Sequence, residues 1–143
     1  MAHYTERLLW FIKRAEQTTQ QAKERALRSL GITPAQQQAL TVLSDHDGVT
    51  STRLARECHV TPQTMISTVA KLEARGMLTR SPHPLHGTLI ELRLTADGRD
   101  LFRRADAHIA DLDDDITRGL TTSDLATLKT LLTRVAANAS ETL

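Results

Sequence analysis

The spacing of the apolar residues changes at Gly76, and this change constrains the fold more than any other feature of the sequence. Before Gly76, Met65, Val69 and Leu72 recur at helical spacing, which predicts a helix with one buried face. After it, the segments MLTRS and LIELRLT alternate apolar with polar residues, as strands do, with Ile90, Leu92 and Leu94 predicted on the buried side. The segment PHPLHG between them has two prolines and a glycine, so a β-hairpin with a long exposed tip is predicted.

Three shorter helices are predicted before the hairpin. Two of them begin with the same signal, Thr33-Pro34 and Thr61-Pro62, in which a threonine cap precedes a proline in the first helical turn. The third lies between them over residues 51–58 and is followed by a tight turn. Two helices joined by a tight turn and followed by a β-hairpin form the winged helix-turn-helix arrangement, in which the second helix enters the DNA major groove.

Long helices are predicted at both ends of the chain. The first covers residues 4–30 and stops at Gly31, a second runs from Thr95 to about Arg118, and a third is capped by Thr121. The apolar stripes of residues 8–30 and 101–135 exceed what one small winged helix covers. They therefore favour a second subunit, with an enlarged intramolecular core as the alternative.

Charge is distributed unevenly along the chain. Residues 1–49 carry a net charge of +1, residues 50–99 of +3 and residues 100–143 of −3. A basic centre between less basic flanks suits a polyanionic partner. The acidic run from Asp111 to Asp115 covers more than a helical turn and is expected to be a solvated face.

Several other protein classes find no support in the sequence. No apolar run approaches ~18 residues and the first residues lack signal-peptide architecture, so we expect a cytoplasmic protein with no membrane span. No Ser-His-Asp spacing, nucleotide loop or glycine-rich phosphate motif is visible, so we expect neither an enzyme nor a cofactor. The single cysteine, Cys58, lies in an apolar-periodic segment. We interpret it as a small buried hydrophobe, with a redox switch as the alternative.

The outward side of the helix over residues 62–74 is predicted to read DNA. Gln63 has the donor and acceptor needed for adenine, Ser67 is short and serves either role, and Ile66 offers an apolar contact to a thymine methyl group. Basic side chains and the helix start would hold phosphates. The predicted DNA-binding residues are Arg53, Pro62, Gln63, Thr64, Ile66, Ser67, Lys71, Arg80, His83, His86 and Thr88.

The segments LARECHVTPQTMISTVAKLEARGMLTR and LRLTADGRDLF resemble the MarR family of bacterial winged-helix transcriptional regulators. The resemblance implies a mainly α fold, with a winged helix-turn-helix region at 33–98 and helical dimerisation regions at 1–32 and 99–143, in one integrated domain. It also implies a homodimer on double-stranded, pseudo-palindromic operator DNA. A repressor released by a small-molecule effector is the expected function, and a winged-helix protein-interaction module without DNA binding is the alternative.

The wing departs from the family pattern. Where the family has Asp-x-Arg-Asp-x-Arg, this chain has HPLHGTL, so His83 and His86 replace acids, Thr88 replaces the second arginine, and the stretch contains no arginine. The tip carries no permanent positive charge, which puts minor-groove insertion in doubt. Two histidines on a loop are too few for a closed tetrahedral site, so we expect no metal.

The resemblance also implies a small aromatic or lipophilic effector. Trp10, Phe11 and Arg14 are the candidate pocket residues, since they supply an aromatic wall and a nearby cation. The alternative is that Trp10 and Phe11 are anchors of the dimer core.

Overall fold

The computed structural model describes residues 1–142, which contain several helices and one two-stranded antiparallel sheet. The element order matches the prediction of a long helix, three shorter helices, a hairpin and two more helices. The elements are α1 (Leu8–Leu27), α2 (Pro34–Asp45), α3 (Ser51–Glu57), α4 (Pro62–Ala74), β1 (Leu78–Pro82), β2 (Ile90–Leu94), α5 (Ala96–Ile116) and α6 (Thr122–Glu141).

The helix starts follow the local signals in the sequence. At α2, the Thr33 hydroxyl accepts from the Gln36 amide at 3.1 Å, and the Gln36 side chain accepts from the Thr33 amide at 3.0 Å. Thr121 and Asp124 form the same reciprocal pair at α6. These contacts satisfy amides that a helix start leaves without intrahelical partners, which confirms the predicted caps.

The first predicted helix is less regular than expected. Residues Tyr4–Glu6 and Arg28–Leu30 are short 3-10 helices, and only Leu8–Leu27 is α-helical. Arg7 has an extended backbone with φ −78° and ψ 143°, which interrupts the first turns. Gly31 ends the segment in the left-handed conformation at φ 67°, where glycine has no steric cost.

Within residues Met1–Ala110, the core is aliphatic, which is consistent with a sequence that is only 3% aromatic. Leucines of α1, α2, α3, α4, both strands and α5 pack together, and Phe102 only partly joins them. Such a core depends on branched aliphatic packing, so truncating one buried leucine to alanine is expected to cost about 2–5 kcal/mol. The largest fully buried side chains are Leu27, Leu40, Leu43, Leu54, Met65, Leu72, Leu78, Leu92, Leu101 and Val69.

The hairpin pairs Leu78 with Leu94 at its base and Pro82 with Ile90 at its outer end. A single antiparallel bridge joins Val49 to Leu92, so the loop before α3 is hydrogen-bonded to β2. The start of α5 lies so close to the carbonyl of Met77 that a Cβ on Gly98 would collide with that backbone oxygen.

The predicted alternation on β2 is wrong at its outer end. Ile90 is exposed, and Glu91, predicted on the polar side, is 9% exposed. The reason is that Ile90 lies at the outer end of the hairpin, beyond the core, whereas Glu91 is covered by Arg93 and His83.

From Asp111 onward the chain forms a second compact unit, made of the end of α5 and of α6. The α6 side chains Leu128, Leu131 and Leu132 are each at least 43% exposed. The carboxylates from Asp111 to Asp115 are also exposed, as expected for a solvated face. In residues 1–142, no helix combines the length and the apolar character that crossing a membrane requires.

Candidate nucleic-acid interface

Helix α4 begins at a threonine cap that fixes its first turn. The Thr61 hydroxyl accepts from the Thr64 amide at 3.1 Å and donates to the Thr64 hydroxyl at 2.9 Å. Pro62 occupies the first turn, where its missing N–H costs no hydrogen bond. The Thr64 hydroxyl is thus engaged with the cap, and its methyl group is left for an apolar contact.

The two sides of α4 have different roles. Met65, Val69 and Leu72 are buried, as predicted, and Thr68 joins them, which the sequence reading missed. The opposite side is solvent-exposed and carries the predicted base-reading residues. Ile66 is 59% exposed, so an apolar side chain stands in water among polar ones. The exposed residues of this side, called the reading face below, are Pro62, Gln63, Thr64, Ile66, Ser67, Ala70 and Lys71.

The cations near the reading face differ in what they contact. Arg80 donates from Nε to both carboxylate oxygens of Glu73, at 3.0 and 3.1 Å. Arg53 lies 3.8 Å from Glu57 on the same helix, with both side chains about half exposed. Lys71 makes no ion pair with any of residues 1–142. Of Arg53, Arg80 and Lys71, only Lys71 therefore has no carboxylate partner among residues 1–142.

Arg75, directly after α4, has a structural role. Its guanidinium donates to the carbonyl oxygens of Gly31 at 3.0 Å and Leu30 at 3.3 Å. These carbonyls lie where the first helical segment ends and lacks further intrahelical donors. Arg75 thus connects the end of α4 to the segment that follows α1.

The wing tip is organised by His83. Its Nδ1 accepts from the amides of Leu85 at 3.0 Å and His86 at 3.1 Å. Its ring lies 5.2 Å from the ring of His86. His86 and Thr88 are exposed, and Leu85 at the tip is 83% exposed.

A chain of charged groups links the wing to the loop before α3. His83 Nε2 faces Glu91 Oε1 at 3.5 Å, and Arg93 donates to the other oxygen of Glu91. Arg93 also donates to the side chain of Asp47 at 2.6 Å and to its backbone carbonyl. The sequence reading missed this group, and only the alternation of Glu91 and Arg93 on one strand signalled part of it.

Gly48 makes room for these side chains. It has φ 104°, and a Cβ there would lie 2.7 Å from both Arg93 Nη2 and Glu91 Oε2. A side chain would therefore meet both a strained backbone and the charged pair. The glycine lets the Arg93–Glu91 pair cover the loop directly.

Known proteins resemble this chain in sequence and in fold. The sequence profile of the MarR family matches residues 30–87, from the end of α1 to the wing tip. An HTH-type transcriptional repressor of Mycobacterium tuberculosis is 34% identical over 113 residues, which cover 79% of this chain and 81% of the repressor. The chain belongs to the MarR family.

Solved structures agree with this assignment. The transcriptional repressor CouR of Rhodococcus jostii, bound to a 23-mer DNA duplex, matches this MarR-family chain with a TM-score of 0.86 at 26% identity. The match covers 92% of this chain and 94% of CouR. BpsR of Bordetella bronchiseptica has a TM-score of 0.88 over 95% of this chain and 97% of its own, and its 20% identity supports the fold alone.

The candidate effector residues of this MarR-family chain form a cluster on α1. The Trp10 and Phe11 rings meet edge-on at 5.3 Å, and Arg14 Cζ lies 5.3 Å from the centre of the Trp10 ring. Phe11 is exposed and Trp10 is half-buried. The structure thus brings the three residues together as a surface cluster.

Two open cavities lie beside the junction of α1 and α2. One has a volume of about 340 Å³ and is lined by residues between Glu24 and Pro34. The other, of about 230 Å³, reaches from Glu16, Gln20 and Lys23 to Cys58. Neither is lined by the aromatic cluster of α1.

Cys58 is buried at the end of α3, with 8% of its surface exposed. Burial, and to a lesser extent the nearby Glu57 carboxylate, raise the pKa of its thiol from 9.0 to about 11. Both effects disfavour the thiolate, which is the reactive form. The structure therefore favours the interpretation of Cys58 as a buried hydrophobe.

Proposed function

We propose that this MarR-family chain is a homodimeric, sequence-specific repressor that places α4 of each subunit in the major groove of double-stranded operator DNA. The observation that carries the proposal is the reading face of α4: polar and small side chains stand in solvent while the opposite side is anchored in the core. The main alternative, a protein-interaction module without DNA binding, is supported only by the lack of arginine in the segment HPLHGTL of the wing.

Within the reading face, each residue has a proposed role. Gln63 makes paired hydrogen bonds to an adenine edge, and Ser67 donates to or accepts from a neighbouring base. Ile66 and the methyl group of Thr64 contact thymine methyl groups. Four side chains of different chemistry within little more than one helical turn would then give the helix its sequence preference.

Phosphate contacts are proposed for the rim of this face. Lys71 neutralises a phosphate directly, and the first turn at Pro62 offers its remaining amides to another. Arg53 and Arg80 lie in exposed ion pairs, which exchange partners at little cost because such pairs contribute only about 0–1 kcal/mol. A phosphate can therefore take over either guanidinium.

The wing is proposed to contact the DNA backbone through His86 and Thr88, which are exposed. His83 was predicted as a further contact. Because both of its ring nitrogens face protein groups, we propose that it acts on the wing rather than on DNA directly.

Dimerisation is proposed for the regions 1–32 and 99–143. The support is exposed apolar surface on helices that lie outside the winged region 33–98. Leu8, Leu9 and Phe11 of α1 are each more than half exposed, and the leucines of α6 are also uncovered. Burying such residues between two subunits would stabilise the pair by removing apolar surface from water.

Release from DNA is proposed to depend on a small aromatic or lipophilic effector that binds near Trp10, Phe11 and Arg14. The edge-on rings and the adjacent guanidinium would suit an aromatic acid. Such a ligand acts only if it binds one spacing of the two reading faces better than the other. A cytoplasmic location and the absence of catalysis complete the proposal.

An electrophoretic shift of the chain on the DNA upstream of its own gene tests the function. The proposal expects a retarded complex with two subunits per duplex, weakened in Gln63→Ala and Ser67→Ala and weakened steeply as salt rises. An unshifted duplex, or a shift equal for operator and random DNA, would refute sequence-specific binding.

A further inference from the structure

We propose that His83 sets the conformation of the wing as the neutral Nε2–H tautomer and so positions the wing on DNA. This inference deepens the proposed function and rests on it. It starts from the hydrogen bonds of a single ring. No metal, added ligand or partner subunit is needed for it.

The tautomer follows from the partners of each ring nitrogen. Backbone amides can only donate, and two of them, from Leu85 and His86, point at Nδ1 at 3.0 and 3.1 Å. Nδ1 must therefore carry the lone pair, and the proton of the neutral ring is on Nε2. That proton faces the Glu91 carboxylate, whose nearest oxygen lies 3.5 Å from Nε2.

The Nδ1 contacts reproduce a turn that asparagine and aspartate usually make. In such turns a side-chain oxygen accepts from amides two and three residues later. Leu85 and His86 stand two and three residues after His83. The imidazole Nδ1 thus supplies the acceptor. The ring also carries a donor, Nε2–H, on its opposite side facing Glu91, and the shorter asparagine side chain has no such second group.

The Nε2 side connects the tip to the body of the protein. Glu91 is nearly buried, with 11% of its side chain exposed, and is held by Arg93, which also binds Asp47. Asp47 precedes α3, the first helix of the helix-turn-helix. The orientation of the wing tip is therefore coupled to the loop that leads into the helix-turn-helix.

This arrangement explains how the wing is ordered without the usual charged residues. His83 stands where the family carries an acid, and the minor-groove arginine is absent. A preformed tip would present His86 and Thr88 to the DNA backbone, and the wing would lose little conformational entropy on binding. Loss of the His83 acceptor would leave two amides free and let the tip sample other conformations.

Nuclear magnetic resonance of the free protein tests the tautomer without DNA. The expected result is an unprotonated Nδ1 and a protonated Nε2 for His83, with slow exchange of the Leu85 and His86 amides. In His83→Ala both amides should exchange rapidly, and in His83→Asn, which retains an acceptor, protection should return. A protonated Nδ1, or amide protection unchanged in His83→Ala, would overturn the proposal.

DNA affinity tests the positioning role. We expect His83→Ala to lose affinity on the order of tenfold, the scale of two lost hydrogen bonds, and His83→Asn to recover most of it. Leu85→Ala removes an exposed side chain at the wing tip but keeps the amide that donates to His83, and it should bind as the wild type does. Wild-type affinity in His83→Ala would refute positioning. Failure of the wild type to bind any DNA would instead refute the proposed function, and the free-protein spectra would still decide the tautomer.

Discussion

Lys71 gives the sharpest quantitative test of DNA binding, because it is an exposed cation at the rim of the reading face with no ion-pair partner among residues 1–142. Replacing it with alanine breaks no intramolecular ion pair and leaves the buried side of α4 intact. The effect on DNA binding should therefore come from lost phosphate neutralisation alone.

The magnitude follows from counterion release. Each neutralised phosphate contributes about −0.9 to the slope of log K against log salt, and a dimer has two copies of Lys71, so the slope should become about 1.8 units less steep. Between about 50 and 200 mM salt, the advantage of the wild type over Lys71→Ala should shrink by about 12-fold.

Fluorescence anisotropy of a labelled operator at four or five salt concentrations measures both slopes. Lys71→Arg keeps the charge and should keep the slope. Lys129→Ala removes an exposed lysine outside the winged region 33–98 and should leave the salt slope unchanged. Parallel plots for Lys71→Ala and the wild type would show that this lysine neutralises no phosphate and would refute the reasoning.

Three further predictions concern the reading helix, the hairpin base and the cysteine. Gln63→Ala should cost about 1–3 kcal/mol per half-site on the operator and almost nothing on random duplex, measured by competition binding, and an equal loss on both would argue against base reading. Gly98→Ala should destabilise folding by about 1–3 kcal/mol or more in urea unfolding, because its Cβ would meet the Met77 carbonyl. Gly87→Ala, with nothing within 4 Å, should be nearly neutral, and equal losses in the two variants would contradict the packing argument. A Cys58 pKa raised from 9.0 to about 11 leaves about 100-fold less thiolate at pH 8. Iodoacetamide should therefore alkylate Cys58 far more slowly in the folded protein than in the urea-unfolded chain. Equal alkylation rates would point to a reactive thiol.

The sequence predicted the features that depend on near neighbours in the chain. A threonine cap followed by proline marks a helix start within four residues, and this is why α2 and α4 begin where expected. The buried side of α4 follows from the spacing of three apolar residues. The exposure of Gln63 and Ser67 follows from the same periodicity.

The features that sequence reasoning missed depend on residues far apart in the chain. Glu91 is buried because Arg93 covers it, and Arg93 in turn reaches Asp47, 46 residues earlier. Arg75 reaches carbonyls 44 and 45 residues earlier. Neither contact has a local signal, since an arginine on a strand or at a helix end is equally compatible with solvent or phosphate.

The central claim is that two identical subunits present their reading faces outward at the pitch of duplex DNA. Pulsed electron–electron double resonance between nitroxides at Ser67→Cys, in a Cys58→Ala background and without DNA, measures that spacing directly. The account predicts a distance distribution centred near one helical turn, about 34–36 Å, within the reach of the labels. Absence of dipolar coupling, as a lone subunit would give, or a distance incompatible with successive major grooves would contradict it.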